Sequence, residues 1–540
     1  MQLVSSLLLM FAALGVANGQ SPASTVSVMA GLGNHHHPIR TRSAEAQKFF
    51  DQGLTLVYAF NHEEGARSFR RAAELDPQAA MPWWGVALAV GPNYNLDVDL
   101  DREKAAYDAI QKARALSVDG PEVESAYIAA MARRYSNDPK PDLKRLATGY
   151  KDAMLDLTRA YPEDLDAATL YAESMMDLNP WQLWTADGKP AENTQEIVAV
   201  LESVLKRDPE HIGANHYYVH AMEASLHPER ALPSAERLKT LAPAAGHLVH
   251  MPAHIYERVG YFGDAVSANE AGAAADRNYL RSTGEPGSMY GLMYYSHNLH
   301  FLAIAASMEG NYGKARAAAD QLIANVSPAV KQVPMLESFL PVPALVMVRF
   351  GRWDEIARLP EPDASLTIDH ALWNYARAAA LAAQGKIEQA EAERNALAAA
   401  VSKQPADAMY GFNPAGKVLE IALEAADARI AAARGDRKSA VEHWRAAVSA
   451  QDTLAYDEPA DWYYPVRESL GAALFQDARY AEAEKVFRAD LERNPRNPRS
   501  LFGLRETLKS EGKTADAEWV SAQFESTWKD ADIQLRMRDL

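Results

Sequence analysis

The sequence predicts an all-α fold, a right-handed solenoid of antiparallel helix pairs, and three observations carry that expectation. The 540-residue chain is 48% hydrophobic and 24% charged. It is rich in the helix formers Ala, Leu, Glu and Arg and almost free of β-branched runs. Small residues, aromatics and prolines recur at a fixed interval along most of it. Finally, a repeat array has no upper size limit of the kind that splits ordinary chains of this length into several domains.

The interval matches the tetratricopeptide (TPR) repeat, a helix pair about 34 residues long with small residues at the helix crossing and often Pro at the end. A unit starting at Ala46 places Gly53, Gly65, Phe69, Ala72 and Pro77 on this ruler. In mid-chain, a unit from Asn179 or one residue earlier ends at Pro209. The next, from Ile212, has Ala231, Ala235, Leu238 and Pro243, and the one from Gly246 has Tyr256 and Ala265. A unit from Ser296 has Ala315 and Leu322. Near the C-terminus, the unit from Tyr464 has Leu470, Gly471, Leu474, Ala483, Phe487 and Pro495. Gly260, Gly310, Gly351, Gly385 and Gly435 fall at the turn between the two helices, where a left-handed residue is needed. The ruler yields roughly twelve pairs, with insertions near 91–100, 178–192, 276–295 and 449–463. No unit buries its apolar face alone, so neighbours share one core.

Residues 3–17 form an uncharged apolar run followed by small residues, which reads as a signal peptide spanning 1–19. Residues 20–43 read as a flexible lead-in and 44–540 as the repeat array. A periplasmic or secreted location follows as an expectation. No other stretch is apolar enough to span a bilayer. The net charge of −17, without a basic cluster, argues against a nucleic-acid partner. With no Cys, thiolate metal sites and disulfides are excluded, so any metal is held by His, Asp, Glu or Met.

Histidine placement is the chemical signal. Nine of the 15 His lie between His211 and His300. On the repeat ruler His216 and His220 take positions five and nine; His247, His250 and His254 take two, five and nine; His297 and His300 take two and five. These positions share one face of the first helix, the face that lines the concave groove in TPR arrays. Helices packed about 8–10 Å apart bring imidazoles from successive repeats to one place. His pairs four apart are a chelating spacing, and Glu223 and Glu257 follow at position twelve as candidate bases. His216, His220, His250, His254 and His297 are thus the leading candidate ligands for copper, zinc, iron or nickel, a set that donor type does not narrow, with His247, His300 and Glu223 as outer or second-metal groups. Seven imidazoles exceed one tetrahedral site, which leaves room for a second metal.

Other candidates carry alternative readings. His35, His36 and His37 either fold back onto a site or form a His-rich tail. Glu173 and Asp177 face the same groove, with solvated acidic side chains as the plainer reading. Trp83, Trp84, Trp181 and Trp184 wall a pocket or pack between helices. Glu468, in the segment 461–468, opens a late repeat and either closes the far side of the groove or belongs to a capped helix start.

Residues 215–221 (Asn-His-Tyr-Tyr-Val-His-Ala), 247–255 (His-Leu-Val-His-Met-Pro-Ala-His-Ile), 461–468 (Asp-Trp-Tyr-Tyr-Pro-Val-Arg-Glu) and 80–85 (Ala-Met-Pro-Trp-Trp-Gly) resemble a widespread family of exported bacterial TPR proteins. The resemblance runs from about residue 33 to the C-terminus. It implies the repeat fold and the groove histidines, and no particular reaction. Three functions follow as expectations: a metal-binding protein, as a metal-dependent oxidoreductase or hydrolase acting on a small molecule in the groove; a non-catalytic scaffold gripping a peptide or protein partner; or a metal store or carrier.

Overall fold

The computed structural model describes residues 26–540, so the expected signal peptide lies outside the described residues. The described chain is helical nearly throughout. Its one hairpin pairs Met409–Tyr410 with Asn413–Pro414 in antiparallel register. It divides into two compact units: residues 26–255 with Ala271–Glu285, and Tyr256–Glu270 with Pro286–Leu540.

In the first unit, consecutive helices pack as pairs. Ala44–Tyr58 pairs with His62–Leu75, Leu165–Met176 with Thr194–Arg207, and Ile212–Glu223 with Leu232–Leu241. Several of these helices begin where a polar side chain accepts a free backbone N–H, as Ser43 does from Ala46 and Asp164 from Ala167. One packing device marks the repeat. Phe69 is fully buried between Gly53 and Gly85, and a Cβ on Gly53 would stand 2.7 Å from its ring. Only an absent side chain lets the two helices close on the aromatic. The second unit uses the same device, with Phe487 between Gly471 and Gly503.

That unit holds the pairs Ser296–Glu309 with Tyr312–Val326, Thr367–Ala383 with Ile387–Lys403, Ala415–Ala433 with Arg437–Gln451, Val466–Gln476 with Tyr480–Arg493, and Pro498–Ser510 with Thr514–Thr527. The turn between the helices of its first pair is made by Gly310 at φ +89°. Ala478 takes the left-handed turn of the Val466 pair at φ +58° without that freedom.

Three sequence expectations differ from the structure. The unit placed at Asn179 has no first helix there: Leu165–Met176 supplies it, and residues 178–192 intervene as a loop before Thr194–Arg207. The 276–295 insertion is partly helical, because Phe262–Thr283 runs on into it and the π-helical Gly291–Tyr295 ends it. The described part of the lead-in is fastened. Leu32 is buried, Ala244 N–H donates to Gly31 O at 2.9 Å, and Met29 N–H donates to Gln52 Oε1 at 2.7 Å. Among the described residues no helix is long and apolar enough to cross a membrane.

Candidate metal centre

The first unit gathers five of the predicted imidazoles and one carboxylate. Every residue of the Ile212–Glu223 helix is buried. The His211 side chain starts this helix, its Nδ1 accepting from Ala214 N–H at 3.2 Å. His216 and His220 stand one turn apart on one face. The helix Gly246–His250 carries His247 and His250, and Pro252, which has no N–H to continue the ladder, opens the next helix, which carries His254. Gly272, on the long following helix, lets that helix approach closely: a Cβ there would stand 2.8 Å from His250 Cβ.

Hydrogen bonds settle the tautomers. His216 Nδ1 lies 2.6 Å from Tyr58 O, and a carbonyl only accepts, so Nδ1 carries the proton. Glu223 receives His220 Nδ1–H at 2.8 Å on Oε1 and His254 Nδ1–H at 2.6 Å on Oε2. In a neutral ring protonated at Nδ1, Nε2 keeps the lone pair. His216 Nε2 and His220 Nε2 then face each other at 3.1 Å, and His250 Nε2 and His254 Nε2 at 2.7 Å. Ring nitrogens of His216, His220 and His247 all lie within 4.8 Å of one another. Burial, then the neighbouring His220, holds the His216 imidazole well below its ordinary pKa, so a proton does not readily fill the gap.

Aromatic rings close around this face. Phe60 packs on His216, His220 and His247 at centroid distances of 4.4, 5.5 and 5.4 Å. Trp181 stacks on Tyr94 at 5.3 Å and meets His220 at 6.3 Å. Phe60 and Trp181 both hold left-handed backbones, at φ +56° and +62°. That conformation is strained for bulky residues and concentrates at functional sites.

Glu223 takes another role than the one expected, and Glu257, His297 and His300 stand in the second unit. Glu223, expected as a base, instead has both oxygens occupied in orienting imidazoles. Glu257 belongs to the second unit, where burial and then Glu458 push its carboxyl well above the usual range. His297 and His300 stand on Ser296–Glu309 of that unit. His297 packs against Phe301 at 4.9 Å, and His300 against Phe339 at 5.5 Å, with burial driving the His300 pKa down to about 3.

His35 and His37 do fold back, onto Asp166. His35 Nε2 lies 3.1 Å from Oδ1 and His37 Nδ1 2.8 Å from Oδ2, while Tyr58 OH donates to Oδ1 at 2.6 Å. His211 Nε2 completes the group at 3.3 Å. Burial alone would raise the Asp166 carboxyl, yet the His35 charge and bonds from His211, His35 and His37 hold it well below its usual range. His36 stays outside this group, on Asp51 at 2.8 Å. Glu173 and Asp177 are buried rather than solvated: Arg134 pairs with Asp177, and burial pushes both carboxyls up. Trp84 is core, Trp83 lies under the Lys112 ammonium, and Trp184 Nε1–H donates to Ala221 O at 2.7 Å. Glu468 is buried against Arg349 and Asn497 in the second unit.

Sequence reasoning passed over Tyr58, Phe60, Asp166, Arg134 and His62. Asp166 offered a signal, since on the ruler it takes position two of its unit, where His247 and His297 stand. Tyr58 and Phe60 offered none, because one acts through its carbonyl and the other through its backbone angle.

No family model and no curated protein matches the chain. Among solved structures it is similar to a human IFIT1 dimer with m7Gppp-AAAA, at 14% identity over 91% of this chain and 92% of that one, TM-score 0.34. It is also similar to Naa15/Naa10 bound to HypK-THB, at 16% identity over 89% and 70%, TM-score 0.23. A third is the APC/C hetero-tetramer Cut9–Hcn1, at 11% identity over 91% and 95%, TM-score 0.30. Likenesses this distant carry no argument about function; the helical-repeat architecture rests on the paired helices and the recurring glycine–phenylalanine packing.

Proposed function

We propose that this protein binds a transition metal through His216, His220 and His247, with His250 and His254 as a second donor pair. The observation that carries the reading is the approach of His216 Nε2 to His220 Nε2, 3.1 Å apart in a buried setting, where the Nδ1–H tautomers set lone pair against lone pair. Two such lone pairs repel unless a cation lies between them. Metal–nitrogen bonds of about 2.0–2.1 Å set ligand atoms roughly 3 Å or a little more apart. Glu223 fits the reading as the shared outer carboxylate that fixes the tautomers of His220 and His254. The all-nitrogen donor set suits copper, zinc, iron or nickel. A bound ion of this kind supplies Lewis acidity, and copper or iron adds one-electron chemistry. The protein's own part is to hold the imidazoles neutral and aimed and to wall the site with Phe60 and Trp181. Export, expected from residues 1–19, belongs to the same proposal.

The test is a titration of metal-free protein with Zn²⁺ and Cu²⁺ against a competing chelator. The wild type takes up at least one equivalent tightly, and His216→Ala/His220→Ala loses it while keeping its helical circular dichroism. A double variant that binds as well as the wild type sinks the assignment.

A partner-binding scaffold is the second reading. It is favoured by Trp519, 69% exposed on Thr514–Thr527 beside a cleft lined by Arg496, Gln523 and Thr527. It predicts that Trp519→Ala releases a co-purifying protein without changing metal uptake; retention of that protein counts against it.

A further inference from the structure

We infer that Tyr58 is a positioning residue for His216, held in place by an N-terminal clamp of His35, His37 and Asp166. The inference deepens the metal-site reading and rests on it for its consequence, though its geometry stands alone.

Tyr58 touches both histidine groups of the first unit. Its hydroxyl donates to Asp166 Oδ1 at 2.6 Å, and its carbonyl accepts His216 Nδ1–H at 2.6 Å. Between these ends its ring is fully buried and lies on the first turn of the Ile212–Glu223 helix, where a Cβ on Gly213 would stand 2.5 Å from Cδ1. His35 and His211 close edge-on at 5.5 and 5.8 Å. The chain then turns at Phe60 through a left-handed backbone and lays that ring on His216.

Each contact removes a freedom. The Gly213 seat fixes the height of the ring, the Asp166 bond fixes its tilt, and the carbonyl fixes which nitrogen of His216 is protonated. Without the anchor at the hydroxyl the carbonyl shifts, and the Nε2–H tautomer of His216 becomes accessible. That tautomer presents a hydrogen where a ligand lone pair is required. Asp166 reaches His216 along two paths, through Tyr58 and through His211, which starts the helix that carries His216; Tyr58→Phe cuts the first path alone.

The experiment uses the full chain with ¹⁵N-labelled histidine and reads ring tautomers in metal-free protein, with the His216 signals assigned by loss in His216→Gln. The wild type is expected to show His216 in a single tautomer with Nδ1 protonated. Tyr58→Phe, which keeps the ring on Gly213, and Asp166→Asn are expected to give mixed tautomers at His216 with helical content retained. Their metal affinity should fall about 10- to 100-fold, as for lost outer-shell partners. A wild-type His216 protonated at Nε2 overturns the inference without any variant. So does an unchanged His216 tautomer in Tyr58→Phe. These readouts contain no metal, so failure of the metal-binding reading is seen separately, in the chelator titration.

Discussion

At the scale of single residues, Glu223 does more than any other side chain to shape the site. Its two oxygens accept Nδ1–H from two imidazoles on different helices, so neither ring can turn its Nε2 away. Glu223→Gln keeps the shape and replaces one acceptor by an NH₂ donor. One of the two histidines must then present a lone pair to that NH₂ and carry its proton on Nε2. Metal affinity should fall about 10- to 100-fold with little change in melting temperature, measured by chelator competition and thermal unfolding. Equal affinity would show that the carboxylate is incidental. His62, half-buried with both ring nitrogens enclosed and neither hydrogen-bonded, makes a separate prediction. Burial, then the Arg102 and Arg134 charges, lowers its pKa to about 3. The unfolded chain takes up this proton near pH 6.5, so between the two values acid favours unfolding. The slope is about 1.4 kcal/mol per pH unit from this group. Urea unfolding from pH 6.5 to 4 should lose stability more steeply in wild type than in His62→Gln. Parallel slopes would contradict it.

At the scale of elements, the ruler locates helices where glycine and proline punctuate them and misleads where an insertion intervenes. Gly53, Phe69 and Pro77 mark a pair the structure contains, because the close approach demands those residue types. Residues 178–192 hide the first helix of their unit, since a loop of that length moves its partner off the interval. The register of His216, His220, His250 and His254 was legible for the same reason as the helices, positions three and four apart sharing a face. The tautomer network was not, because it depends on a carbonyl 158 residues away from His216 along the chain. Gly213 tests this level. Gly213→Ala puts a methyl into the Tyr58 ring, and such overpacking costs about 1–3 kcal/mol. Its melting temperature should fall, together with metal affinity. A variant as stable as the wild type would show that the ring is free to move.

At the scale of the whole molecule, the paired-helix array was legible in composition and interval, and the chemistry was legible only as a cluster of histidines on one face. What the sequence left open was which nitrogen each ring offers, and fixed hydrogen bonds at Nδ1 answer that for His216, His220 and His254. The acidic balance of the chain, −17, draws cations toward its surface in general, so loose metal association is not a test. The direct measurement is elemental analysis of untagged, exhaustively dialysed protein from its native host, beside His216→Ala/His220→Ala prepared in the same way. The account predicts near-stoichiometric copper, zinc, iron or nickel in the wild type and its loss in the variant. Metal-free wild type that also takes up no added metal would contradict it.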